Sequence, residues 1–116
     1  MKKKAIIIFI LLLIIIVSPE IQCVSGKSMQ PTLHDGELLV VSKYITPKDG
    51  DIVIIDTSKV PNYEQDSEHI IKRYYEALST DGYYVLGDNA SCSYDSRYFG
   101  EIPKEAVEGV VLYHFH

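Results

Sequence analysis

The sequence predicts a small, mainly antiparallel β domain behind a single N-terminal helix, and three observations lead there. Lys2-Lys3-Lys4 is followed by thirteen consecutive apolar residues, Ala5 to Val17. The rest of the chain breaks into apolar runs of strand length separated by Gly, Pro, Asn and Asp clusters. No stretch beyond Val17 has the i, i+3, i+4 spacing of a full amphipathic helix. At 116 residues there is room for one domain with one small core.

Taken in order, Ala5–Val17 as a helix is roughly 20 Å long, short of the ~30 Å hydrocarbon layer. A basic start and a short apolar body also have the shape of a secretory signal. However, Ser18-Pro19-Glu20-Ile21-Gln22-Cys23 offers no pair of small residues for cleavage. The run is therefore read as an uncleaved single-pass anchor. Either the helix continues through Pro19 to Val24, or the bilayer thins while the lysines snorkel. The positive-inside rule puts Lys2–Lys4 in the cytoplasm and the body outside it, at the cell membrane. Residues 1–24 are thus basic start, anchor and link, and 25–116 an extracytoplasmic domain. Within that domain Glu37–Ser42 and Asp51–Asp56 are strands joined by a turn-rich segment ending in Asp49-Gly50. Lys59–Ser67 is a polar surface loop. Glu68–Leu78 is a third strand, and Asp81-Gly82 turns it back into Tyr83–Leu86. A helical turn at Pro103–Ala106 introduces the last strand, Val107–Phe115.

Charge excludes one class of partner. Eleven basic and 16 acidic residues give −5, but three of the basic ones are Lys2–Lys4. From Ser18 onward eight basic residues face 16 acidic ones, a net charge of −8. A body that acidic has no footprint for a phosphate backbone, so no nucleic-acid partner is expected. Cys23 and Cys92 would lie in an oxidising compartment, where a disulfide is permitted; the sequence leaves open whether they pair. Neither they nor His34, His69, His114 and His116 have metal-ligand spacing, so no metal or other cofactor is implied.

Three segments carry candidate chemistry. Ser25-Gly26-Lys27-Ser28-Met29-Gln30-Pro31-Thr32 alone is ordinary loop composition. In His69-Ile70-Ile71-Lys72-Arg73-Tyr74, strand alternation places Ile70, Lys72 and Tyr74 on one face and His69, Ile71 and Arg73 on the other. A lysine on an apolar face is either an edge residue reaching water or an amine whose pKa burial lowers until it can act as a base. The third is a long polar loop, Gly87-Asp88-Asn89-Ala90-Ser91-Cys92-Ser93-Tyr94-Asp95-Ser96-Arg97-Tyr98-Phe99-Gly100.

The order S-M-x-P-T (Ser28-Met29-Gln30-Pro31-Thr32), then Lys72-Arg73, then G-D-N-x-x-x-S-x-D-S-R resembles the type I signal peptidases. These are membrane-anchored serine peptidases with a Ser–Lys dyad. The resemblance spans about Gly26 to Gly109 and includes Gly50-Asp51-Ile52-Val53 as an intermediate strand motif. It implies a small antiparallel, barrel-like catalytic domain. By position it makes Ser28 the nucleophile, Lys72 the general base and Ser93 the hydroxyl that orients the lysine. Arg73 with Asp88, and Asp95 with Arg97, correspond to structural ion pairs, while Met29 and Pro31 shape the nucleophile turn. The backbone N–H of Ser28 would serve as oxyanion donor. Gly26 stands where some members add a serine hydroxyl. The family's inserted subdomain is missing, since fourteen residues separate Lys72 from Gly87.

A serine hydroxyl must lose its proton as it attacks, and a lysine takes it only when neutral. With a reference pKa near 10.4, below about one lysine in a thousand is neutral at pH 7. Lowering that value by two to three units costs roughly 3–4 kcal/mol. Endoplasmic-reticulum relatives use a His in the lysine's place, but His69 is on the opposite strand face and reads as a surface residue. The resemblance implies removal of signal peptides, with small residues one and three positions before the cut, from exported preproteins. Membrane lipid and, by proximity, the secretion translocon are the other implied partners. Two rivals are a same-clan peptidase dedicated to one pilin or conjugation substrate, and a catalytically idle homologue that binds signal sequences. A self-cleaving repressor of the same clan would need a DNA-binding domain and no anchor.

Overall fold

In the computed structural model, which describes residues 2–115, helix α1 (Lys2–Val17) precedes a six-stranded sheet. The strands are β1 (Pro19–Cys23), β2 (Leu38–Ser42), β3 (Ile52–Asp56), β4 (His69–Tyr74), β5 (Val85–Leu86) and β6 (Val107–Phe115). Their order is β1-β2-β6-β3-β4-β5, and every neighbouring pair is antiparallel. The sheet is open, with β1 and β5 at its edges, rather than closed into a barrel by main-chain pairing.

The helix does not run on to Val24. Ser18 turns into the left-handed region (φ 43°), and Pro19, which has no N–H to donate, opens β1 instead. Proline at the first position of an edge strand costs no ladder hydrogen bond, so the link becomes part of the sheet, Pro19 to Cys23 opposite Ser42 to Leu38. At 16 residues α1 is about 24 Å long. Among the described residues, no helix is long and apolar enough to cross a membrane.

Strand β3 is apolar at four consecutive positions because it is covered on both sides. Val53 and Ile55 face one core with Tyr74, Val85, Phe99, Ile102 and Val110. Ile54 faces the other with Val24, Met29, Leu33, Leu39 and Val41. The expected third strand is shorter than Glu68–Leu78, ending at Tyr74 before a 3-10 turn at Glu76–Leu78. The turn-back strand shrinks to Val85–Leu86, because Tyr83 pairs with Ile102 instead. A 3-10 turn at Lys104–Ala106 leads into β6 as expected.

The outer face of the β1–β2–β6 end is uncovered. Directly opposed residues share a face in an antiparallel pair. Ile21, Val40 and Tyr113 therefore make one row, and Cys23, Leu38 and Phe115 the next. Ile21, Leu38, Tyr113 and Phe115 are all exposed, and this apolar face begins directly after α1.

Candidate active site

Ser28 sits in a turn whose neighbours are drawn inward. Met29 and Leu33 are buried in the second core, joined by a Leu33 N–H to Met29 carbonyl bond of 2.9 Å. The Gln30–Pro31 peptide bond is cis. With its neighbours anchored, Ser28 is left half-buried at a cleft of about 290 Å³.

Lys72 lines the same cleft from β4. Its side chain follows the alternation that buries Tyr74, and it is only 4% exposed. Its Nζ donates to Ser28 Oγ at 2.8 Å. Burial lowers the amine's pKa to about 8, against an opposing pull from the Asp95 charge. Among the described residues, no acceptor in the fold takes the Ser28 N–H, which leaves a donor free beside the hydroxyl. Gly26, by contrast, spends its N–H on Asp35 Oδ1 at 2.8 Å.

The loop after β5 is organised around one carboxylate. Asp95 is fully buried and accepts from Gly87 N–H (3.0 Å), Ser93 Oγ (2.7 Å) and Arg97 Nε (2.9 Å). Burial alone would raise its pKa, but these donors outweigh burial and hold it below the usual carboxylate range. It also caps the short helix α2 (Ser96–Phe99) through Arg97 N–H. Arg97 Nη2 ties back to the Ala90 carbonyl at 2.8 Å. Ser93 is buried beside this carboxylate. Its hydroxyl donates to Asp95 Oδ2 at 2.7 Å, the ionised, buried carboxylate being a strong acceptor. Ser93 therefore reaches the lysine's surroundings through the Asp95 charge.

Arg73 and Asp88 form a bidentate pair, Nε to Oδ1 at 2.9 Å and Nη2 to Oδ2 at 2.7 Å. Arg73 also donates to the Gly50 carbonyl at 2.6 Å, which gives the Gly50-Asp51 motif its place in the site. The guanidinium beside Asp88 holds that carboxyl below its ordinary range. Asp88→Ala would leave a mostly buried guanidinium without its partner. The expected loss is roughly 2–3 kcal/mol of stability by urea denaturation; an unchanged midpoint would mean the pair does not brace the loop.

Several contributors were not assigned roles from the sequence. Thr32 Oγ1 donates to Asp88 at 2.6 Å, and Asn89 N–H donates to the Ser28 carbonyl at 2.8 Å. Asn89 Nδ2 adds a bond to the Lys27 carbonyl, so the loop grips the Ser28 turn at both Lys27 and Ser28. Thr32 and Asn89 lie inside the quoted motifs, where the signal was present but unused. His69 is exposed at the same cleft and pairs with Glu108 at 2.8 Å. His114 pairs with Glu37, and His116 lies outside the described residues. Cys23 and Cys92 are free, exposed thiols at the rim of the cleft. Among the described residues, no group of His, Cys, Asp and Glu is arranged to hold a metal ion.

The family model for signal peptidase, peptidase S26, matches residues 2–76 and 74–115. The two segments overlap at Tyr74–Glu76, directly after Lys72-Arg73. No curated protein matches the chain significantly. A match that covers nearly the whole chain, in the order of the motifs that build the site, shows that it belongs to the signal peptidase family, peptidase S26.

Proposed function

We propose that the protein is a signal peptidase I, a membrane-bound serine endopeptidase that removes N-terminal signal peptides from exported preproteins. The observation that carries this reading is the buried Lys72 amine, 2.8 Å from Ser28 Oγ. With the amine neutral, Ser28 Oγ attacks the scissile carbonyl carbon and its proton passes to Lys72 Nζ. The Ser28 N–H receives the oxyanion. Collapse breaks the C–N bond, and the Lys72 ammonium protonates the departing amine. Water then attacks the acyl-enzyme, again losing its proton to Lys72, and Ser28 leaves as the hydroxyl. Asp95, with Ser93, Arg97 and Gly87 around it, and the Arg73–Asp88 pair hold the loop against the nucleophile turn. Substrates would present small side chains one and three residues before the cut.

The membrane reading rests on α1 and on the apolar outer face of β1, β2 and β6 beside it. Every residue from Ile6 to Ile16 is at least 44% exposed, a surface that water does not tolerate over that length. A helix about 24 Å long fits a ~30 Å layer only if the bilayer thins or Lys2–Lys4 snorkel to the cytoplasmic side. The substrate's own apolar segment occupies the same bilayer, so anchoring raises the effective concentration of enzyme and scissile bond. It would also keep the enzyme near the translocon. Deleting residues 2–17 should cut cleavage of membrane-inserted preproteins at least tenfold while sparing short soluble peptides. Equal losses on both substrates would contradict the anchor's role. The contracted join after Arg73 favours one second reading, a peptidase dedicated to a single substrate. Cleavage of several unrelated preproteins at similar rates would exclude it.

A further inference from the structure

The connection between β3 and β4 is closed at its base by Thr57. Its N–H donates to the Glu68 carbonyl at 3.0 Å, and its hydroxyl donates to the carbonyls of Ser67 and Glu68. Most of the loop is polar and exposed. Tyr63 at its middle is nevertheless half-buried. Its ring packs edge-on against Tyr94 (5.4 Å between centroids) and Phe99 (5.7 Å). Phe99 belongs to the first core, and Tyr94 stands between Ser93 and Asp95. Tyr63 and Tyr94 line the same cleft as Ser28 and Lys72.

We infer that Tyr63 is a specificity-determining residue: with Tyr94 it forms an aromatic wall against which one side chain of an extended peptide packs when its carbonyl lies at Ser28. This rests on the peptidase reading above. The two rings present rigid apolar faces at low entropic cost, with hydroxyls that can remain in water. Tyr94 is fixed by stacking on Tyr98 (5.3 Å) and by edge contact with Phe99 (5.4 Å), so the wall cannot easily yield to a bulky substrate. In a chain that lacks the family's inserted subdomain, this loop supplies surface to the cleft from within the core itself.

The test is a peptide series in which Ala, Val, Leu or Phe is placed at each of four positions before and two after the scissile bond. It compares wild type, Tyr63→Ala and Tyr63→Phe. At one position, Tyr63→Ala should raise kcat/KM for the largest side chain relative to Ala by tenfold or more. Tyr63→Phe, which keeps the ring, should keep the wild-type ratio. A fall by the same factor for every peptide would mean that Tyr63 only holds the loop, and would overturn the inference. A second measurement is independent of turnover. The chain has no Trp, so Tyr63→Trp in a Ser28→Ala background carries a single indole. Adding a substrate peptide should shift its emission saturably; no shift at concentrations where calorimetry detects binding would overturn the inference. If wild type cleaves none of the peptides, the peptidase reading fails, while the emission titration still decides whether Tyr63 meets a bound peptide.

Discussion

Ser28→Ala and Lys72→Ala should each lower cleavage on the order of 10⁵-fold, and the double variant should be no worse than either single one. Two groups that hand one proton between them act as a unit, so losing the second removes nothing further. The 2.8 Å contact between Nζ and Oγ is the geometric basis for that expectation. Lys72→Arg should fail as completely, because a guanidinium does not give up its proton at working pH. Lys72→Met separates chemistry from folding. It keeps the stem and removes the amine of a residue that is only 4% exposed, so the protein should be at least as stable as wild type while remaining inactive. Thermal unfolding beside turnover checks both halves. Near-normal turnover in Lys72→Arg would remove the lysine from the mechanism.

Gly87→Ala should cost about 10²-fold in activity, through packing alone. A Cβ at Gly87 would lie 2.6 Å from Ser93 Cβ and 2.7 Å from the Ser28 carbonyl oxygen, and closer still to Ser93 Oγ. The Ser28 carbonyl is also gripped by Asn89 N–H, and Ser93 by Asp95, so neither can step aside alone. The methyl group must push the nucleophile turn away from the loop. A displacement near 1 Å is enough to cost about 10²-fold in kcat. Overpacking of this kind also lowers stability by about 1–3 kcal/mol, leaving the protein folded. Wild-type turnover in Gly87→Ala would show that the loop and the turn are not packed as described.

The sheet was legible because its strands announce themselves. The apolar run within Asp51–Asp56 reads as a strand, and β3 (Ile52–Asp56) forms there with a core on each side. The Lys72 anomaly was legible because alternation puts it on the face of Ile70 and Tyr74, while the choice between reaching water and burial was made by the folded chain. β1 was not legible. Pro19-Glu20-Ile21-Gln22-Cys23 has weak strand composition and is held by pairing with β2, a partner some twenty residues away. The Ser93–Asp95 bond was hidden because it depends on a burial of Asp95 that only the folded chain defines. Tyr63 gave no signal at all. An aromatic residue in a polar loop becomes part of a cleft only when Tyr94 and Phe99 arrive from a distant segment.

The pH dependence of kcat/KM on a short soluble peptide is the most direct measurement of whether a neutral Lys72 takes the Ser28 proton. Activity requires the amine to be neutral, so the rate must rise with pH and level off above the lysine's pKa. With that pKa lowered to about 8 by burial, roughly a tenth of the enzyme is competent at pH 7. The acid limb should therefore bend near pH 8 and fall about tenfold per unit below it. A limb near the histidine range, about pH 6.5, or a profile still rising beyond pH 10 as an unperturbed lysine would give, would contradict Lys72 as the base.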